Sequence, residues 1–212
     1  MSEKPILFVW DFHGVLEKDN ELAVLEVTNR VLEEFGHDMR ATLADINRMY
    51  GLRWGDYYRR LVPGIGDSKV EEMVLRSREM GRPAASRHAK PQNHAVVVLK
   101  EIKEKGHRNV VVSNTAQDDL EFFTDLVGVS CYIDETHGIG WGRETGKTEV
   151  IGRYASYGDY RKIVVIGDTE RDIDAGLSAD ALTYLFRPRG HDVGTNAHNT
   201  ITDLREVLME LE

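Results

Sequence analysis

The chain has 212 residues, a net charge of −9 and a single cysteine, Cys131. The acidic balance argues against nonspecific nucleic-acid binding, which needs a basic surface, and one cysteine excludes an internal disulfide. No apolar run is long enough to cross a bilayer and the first residues lack a signal-peptide pattern, so we expect a cytoplasmic protein without membrane or nucleic-acid partners. A monomer and a homodimer are both left open by the sequence.

The apolar run at residues 6–10 predicts a central parallel strand, because a strand covered on both faces shows no polar alternation. Asp11 follows this strand directly, and a carboxylate at a buried strand end needs a charge partner. Gly14 lies three residues further on, where a glycine permits a tight turn and the close approach of a ligand. The alternative for Asp11 is a surface aspartate that caps a turn.

Residues 18–90 interrupt the strand pattern, since they show helical periodicity and no convincing strand. We predict four helices here, with a break at residues 81–83 and a returning linker over residues 83–94. Arg53 shares a predicted helical face with Tyr57, and this face could bind the acidic part of a substrate. The alternative for that face is ordinary packing with exposed arginines.

The rest of the chain alternates helices with strands. Helices are predicted at residues 92–105, 117–126, 148–157, 170–178 and 200–211. Strands are predicted at residues 110–112, 163–166, 181–186 and, more weakly, 130–133. Thr200 is the predicted N-cap of the last helix. This alternation predicts an α/β fold with a doubly wound parallel sheet, whose ligands bind beyond the carboxyl ends of the strands.

Two polar stretches follow in the second half of the chain. Ser113 and Asn114 come directly after a predicted strand, where a hydroxyl and an amide can hold phosphate oxygens or cap the next helix. Lys147 lies in a polar loop, where a lysine can neutralise a phosphoryl group. The loop is not a nucleotide-binding P-loop, because Trp141 stands where that motif needs glycine.

Asp168 and Asp172 follow the strand predicted at residues 163–166. Four residues apart, they would lie on the same side of a helical turn and repel each other without a cation. Mg²⁺ takes oxygen ligands of this kind. The alternative is the acidic enrichment that the helix dipole favours at a helix N-terminus.

Taken in order, these sites resemble the motifs of the haloacid dehalogenase superfamily of phosphatases, namely Asp11-x-x-Gly14-Val, then Ser113, then Lys147, then Gly-Asp168-x-x-x-Asp172. The resemblance covers about residues 4–17 and 90–190. It implies a Rossmann-like catalytic core over residues 1–17 and 91–212, with a small all-helical cap at residues 18–90.

The resemblance also implies roles for these residues. Asp11 would be the nucleophile and would form an aspartyl-phosphate. Mg²⁺ would be held by Asp11, Asp168, Asp172 and the backbone carbonyl of His13. The phosphate would be held by Phe12, Gly14, Ser113, Asn114 and Lys147. The substrate would be a small phosphorylated metabolite, selected by the cap.

Two positions depart from the family pattern. The family's phosphatases carry a second aspartate two residues after the nucleophile as general acid and base, and here that residue is His13. Strand alternation points residues 11 and 13 to the same side, and imidazole exchanges protons near neutral pH, so we predict the same role for His13. Lys147 lacks the prolines that often follow the family's lysine, which leaves Arg143 open as a substitute cation.

The histidine also leaves two other functions open. One is an enzyme of the same fold that cleaves a carbon–halogen or carbon–phosphorus bond, because such family members also lack the second aspartate. The other is a protein that binds phospho-ligands without efficient turnover.

Overall fold

The computed structural model describes residues 3–49, 52–140, 146–188, 190 and 196–212. The chain divides into two compact units, Met1–Glu17 with Pro91–Glu212 and Lys18–Lys90. The first unit is built on a parallel sheet, and the second is mainly helical.

The strands, in chain order, are β1 (Ile6–Trp10), β2 (Glu17–Lys18), β3 (Lys90–Pro91), β4 (Arg108–Ser113), β5 (Glu135–Gly138), β6 (Lys162–Gly167), β7 (Leu182–Phe186) and β8 (Asn199–Ile201). β2 and β3 pair with each other, and the other six form one sheet in the order β5-β4-β1-β6-β7-β8. All neighbours in this sheet are parallel. β1 lies in the middle of the sheet, where Phe8 stands opposite Asn109 on one side and Val164 on the other.

The α-helices are α1 (Asn20–Glu34), α2 (Leu43–Met49), α3 (Trp54–Leu61), α4 (Asp67–His88), α5 (Ala95–Glu104), α6 (Gln117–Leu126), α7 (Lys147–Tyr157) and α8 (Glu170–Leu177). Two 3₁₀ helices cover Ser130–Tyr132 and Leu204–Leu211. Among the described residues, no helix combines the length and the apolar character needed to span a membrane.

Helices cover both faces of the sheet. Leu7 and Val9 of β1 belong to one buried cluster with Ile151 of α7 and Ala175 of α8. On the other face, Trp10 donates from its indole nitrogen to the side chain of Asn109, and the Asn109 amide donates to the Leu99 carbonyl of α5. The predicted doubly wound α/β fold is therefore confirmed.

The elements at the two sheet edges correct the sequence predictions. The prediction of a strand at residues 130–133 was wrong. A 3₁₀ helix covers Ser130–Tyr132, and the edge strand β5 begins only at Glu135. An edge strand is partly exposed and can therefore be built from polar residues, so β5 lacks the apolar run by which a buried strand is recognised in sequence. Thr200 lies in β8 and caps nothing, while the final helix begins after Asp203, whose carboxylate accepts from the Arg205 amide.

Two helix boundaries also differ from the predicted ones. α5 begins at Ala95 rather than residue 92, because His94 has a left-handed backbone with φ of 65°. α4 runs through the predicted break at residues 81–83 and ends at His88, so the predicted linker is much shorter. Within the helical unit, ion pairs from Arg76 to Glu34 and from Arg87 to Glu26 fasten α4 to α1. Ala84 and Ala85, which directly follow Pro83, are buried, so the helix is also packed just after the position of the predicted break.

Candidate active site

Three aspartates meet at the carboxyl edge of the sheet. Asp11 follows β1, Asp168 follows β6, and Asp172 lies in the first turn of α8. Their carboxylates each offer an oxygen atom within 4.8 Å of the other two. They come together because β1 and β6 are parallel neighbours that end at the same edge. In the part of the chain that the structure describes, this is the one such group of potential metal ligands.

Lys147 binds two of these carboxylates. It is the first residue of α7, and its Nζ lies 2.6 Å from Asp11 Oδ1 and 2.5 Å from Asp172 Oδ1. Burial opposes the charge on the lysine, but the two carboxylates outweigh burial and raise its pKa. Burial also raises the pKa of Asp11, and Asp172 adds to this while Lys147 opposes it.

The pKa of the third carboxylate, Asp168, is shifted in the same direction as that of Asp11. Burial, followed by the charges of Asp11 and Asp172, raises the pKa of Asp168 to about 7. Lys147 contacts two of the three carboxylates directly, and Arg187 adds a second positive charge near Asp168, where its guanidinium donates to the backbone carbonyl. Repulsion among the carboxylates nevertheless adds to burial in raising the pKa values of Asp11 and Asp168, and a divalent cation would offset that repulsion. The donors are all oxygens, so this set fits a hard cation such as Mg²⁺.

Local backbone structure orients the acidic group. Asp172 Oδ2 accepts from the Thr169 amide at 3.1 Å and the Thr169 hydroxyl at 2.5 Å in a capping box, which leaves Oδ1 to Lys147. Gly14 has φ of +83°, and a Cβ there would lie 2.4 Å from Asp168 Oδ2. The turn after β1 therefore packs its backbone directly against Asp168, and only glycine fits.

His13 lies next to this group and has a hydrogen-bond partner at each ring nitrogen. Its Nδ1 lies 2.8 Å from Glu17 Oε2, and its Nε2 lies 3.1 Å from Thr115 Oγ1. Burial lowers the pKa of His13, but the Glu17 hydrogen bond and charge, with the charge of Asp11, outweigh burial and raise it. The Ser113 hydroxyl in turn donates to Thr115 Oγ1 at 3.2 Å.

The remaining predicted site residues are Phe12, Asn114, Arg53 and Arg143. Asn114 is exposed directly after β4, while the Phe12 ring is fully buried, so Phe12 can offer a ligand only its backbone. Arg53 directly precedes α3 in the helical unit. Arg143, the alternative to Lys147, lies outside the described residues.

Sequence reasoning missed Glu17 and Thr115, the two partners of the His13 ring. The sequence contains a weak signal for Glu17, because an acid directly follows the apolar pair Val15 and Leu16. The structure shows that this acid is fully buried. Thr115 stands beside Ser113 and Asn114 at the same strand end but was not selected.

Comparison with known sequences identifies one matching family. The sequence model of the family described as haloacid dehalogenase-like hydrolase matches residues 8–185. No curated protein matches the chain.

Solved structures share the fold over nearly the whole chain. A predicted phosphoglycolate phosphatase from Haemophilus somnus has a TM-score of 0.83 at 14% identity, covering 99% of this chain and 98% of its own. A protein assigned as a phosphatase from Clostridium difficile has 0.81 at 15% identity, with complete coverage of both chains. A protein assigned as a β-phosphoglucomutase from Thermotoga maritima has 0.77 at 21% identity, covering 97% and 99%. At these identities, the likeness establishes a common fold.

Proposed function

This chain belongs to the haloacid dehalogenase-like hydrolase family, and on that premise we propose that it is a Mg²⁺-dependent phosphohydrolase with Asp11 as its nucleophile. The observation that carries the proposal is the buried contact between Asp11 and Lys147 inside a group of three carboxylates. A carboxylate can attack an anionic phosphoryl group only where cations offset the repulsion.

The proposed metal ligands are Asp11, Asp168, Asp172 and the backbone carbonyl of His13. The carboxylates supply the oxygen donors that Mg²⁺ prefers, and a divalent ion would offset the repulsion between them. When bound, the ion would reduce the repulsion between nucleophile and phosphate and would polarise a phosphoryl oxygen.

Asp11 would act in two steps. Its carboxylate oxygen bonds to phosphorus while the bond from phosphorus to the leaving oxygen breaks, which gives an aspartyl-phosphate. Water then attacks phosphorus, the bond to Asp11 breaks, and inorganic phosphate leaves. The phosphoryl oxygens would be held by Lys147, Ser113, Asn114 and the backbone of Phe12 and Gly14.

His13 would move the proton in both steps. It gives a proton to the leaving oxygen in the first step and takes one from water in the second. Its position two residues after Asp11 and its raised pKa suit this exchange. Its Nε2 contacts Thr115 Oγ1 at the end of β4, where Ser113 is a proposed phosphate ligand.

The substrate in this proposal is a small phosphorylated metabolite. Residues 1–17 and 91–212 would form the catalytic core, and residues 18–90 would be a cap in which Arg53 binds an acidic part of the substrate. The printed names of two structural neighbours, a phosphoglycolate phosphatase and a β-phosphoglucomutase, refer to small phosphate esters. We further propose that the protein is cytoplasmic and has no nucleic-acid or membrane partners.

The test is hydrolysis of p-nitrophenyl phosphate with and without Mg²⁺. EDTA should abolish turnover, and Asp11→Asn should reduce it by about 10³-fold or more, because the amide cannot form the covalent intermediate. Asp174→Asn, an exposed residue of α8, is the matched control and should keep full activity. Undiminished turnover in Asp11→Asn would reject the nucleophile.

A panel of other substrates separates the remaining functions. Cleavage of a halo-acid or a phosphonate without phosphatase activity would assign another reaction to the same residues. If every substrate stays intact while beryllofluoride with Mg²⁺ raises the Tm, the chain is a phospho-ligand-binding protein.

A further inference from the structure

Glu17 is a buried carboxylate that directly follows two apolar residues in the sequence. Its relative exposure is 0%, and it follows the buried Val15 and Leu16. A buried carboxylate is costly unless it is paired, and Glu17 Oε2 lies 2.8 Å from Nδ1 of His13. The turn after β1 brings the two residues together, because the Phe12 carbonyl accepts from the backbone amides of both Leu16 and Glu17.

This contact assigns different tasks to the two ring nitrogens of His13. A carboxylate can only accept, so the nitrogen facing Glu17 carries the hydrogen. The other nitrogen, Nε2, then faces Thr115 Oγ1 at 3.1 Å, on the side of Ser113. The nitrogen that exchanges protons is therefore Nε2, and Nδ1–H stays bound to Glu17 throughout.

Aromatic rings hold the imidazole in this orientation. The rings of Phe12 and Phe123 meet the His13 ring edge-on, with centroid distances of 5.1 Å and 5.0 Å and interplanar angles of 81° and 82°. A rotated imidazole would lose its hydrogen bond to the buried Glu17 carboxylate and its edge-on contacts with both rings. The geometry thus favours one orientation and one tautomer.

We propose that Glu17 is a positioning residue that holds His13 for proton transfer through Nε2, an inference that rests on the proposed phosphohydrolase function. In the first step the leaving oxygen takes the proton from Nε2 as its bond to phosphorus breaks and the bond from Asp11 forms. In the second step Nε2 takes a proton from water as the water oxygen bonds to phosphorus and Asp11 is released. Glu17 keeps its hydrogen bond to Nδ1 in both steps.

The test compares two classes of ester, because only poor leaving groups need protonation. Glu17→Gln keeps the shape of the side chain, but the amide nitrogen can donate to Nδ1 and so favours the other tautomer. It should lower kcat/KM for an alkyl phosphate by about 10²-fold or more, and for p-nitrophenyl phosphate by less than about 10-fold. Glu104→Gln, at an exposed position of α5, is the control and should change neither value.

An equal loss on both esters, or no loss on either, would overturn the proposal. If Glu17→Gln does not fold, Glu17→Asp provides the same comparison, because its shorter side chain withdraws the carboxylate from Nδ1 and should cause a smaller loss that is still selective for the alkyl ester.

A readout independent of turnover separates this proposal from the proposed function. At a pH high enough to make His13 neutral, so that only one ring nitrogen carries hydrogen, nitrogen chemical shifts of ¹⁵N-labelled His13 should identify Nδ1 as the protonated nitrogen in the wild type and a mixture of tautomers in Glu17→Gln. Protonation of Nε2 alone in the wild type would refute the role of Glu17 even if the enzyme hydrolyses phosphate esters. Conversely, the expected spectrum without any phosphatase activity would reject the function and leave the positioning of the ring intact.

Discussion

Replacement of Asp168 by asparagine is expected to stabilise the metal-free protein while removing a metal ligand. Burial and the neighbouring charges of Asp11 and Asp172 raise the pKa of Asp168 from 3.8 to about 7. The folded metal-free protein therefore holds this proton more tightly than the unfolded chain does. Stability is lost as the pH rises from about 4 to about 7, and the loss is complete above that range.

The size of the effect follows from the same pKa values. A rise from 3.8 to about 7 corresponds to about 4 kcal/mol, at about 1.4 kcal/mol for each pH unit. Asparagine has a similar shape and no charge to ionise. In EDTA, Asp168→Asn should be more stable than the wild type by up to about 4 kcal/mol at about pH 8, and the difference should shrink towards about pH 4.

Urea unfolding of the two proteins between about pH 5 and pH 8 measures this difference. Asp174→Asn removes an exposed charge from the same helix and is the matched control. Mg²⁺ should stabilise the wild type at the higher pH and Asp168→Asn much less, because the variant has lost a ligand. A difference between wild type and Asp168→Asn that does not change with pH would refute the electrostatic argument.

Two further substitutions test the surroundings of the acidic group, and a third tests the packing of the sheet. Lys147→Met should destabilise the metal-free protein by about 3 kcal/mol or more in urea unfolding, because it leaves two buried carboxylates without their cation. Gly14→Ala should lower turnover of p-nitrophenyl phosphate by about 10²-fold, since its Cβ would displace the Asp168 carboxylate and its φ is positive. Asn109→Ala should lower the free energy of unfolding by about 2 kcal/mol in thermal unfolding, because the buried indole nitrogen of Trp10 loses its acceptor. The kcat of this variant should stay unchanged, and a clear loss of kcat in the folded variant would contradict this last prediction.

The centre of the sheet was predictable from sequence because its strands are covered on both faces. β1 is an uninterrupted apolar run, and β6 and β7 are mainly apolar. The edges were not predictable in the same way. β5 is formed by Glu-Thr-His-Gly, and β8 by Asn-Thr-Ile, so neither shows the composition of a buried strand.

The acidic residues of the candidate site were predictable because parallel strands end at one edge. Asp11 and Asp168 follow neighbouring strands, and Asp172 lies one helical turn further on. The partners of His13 were not predictable, since they depend on local geometry. Glu17 reaches the ring only because a turn folds the chain back on itself, and Thr115 only because β4 lies next to β1.

The central position of β1 has a consequence for the order in which the molecule assembles during synthesis. β1 is made before its two partners in the sheet, β4 and β6, which leave the ribosome only after residues 18–90 have been made. Those residues have buried contacts of their own, such as Ile46 against Tyr57, and can collapse early. The five apolar residues of β1 therefore stay unpaired until β4 and β6 have been made, and unpaired apolar strands are prone to aggregate. We expect slow folding and dependence on chaperones.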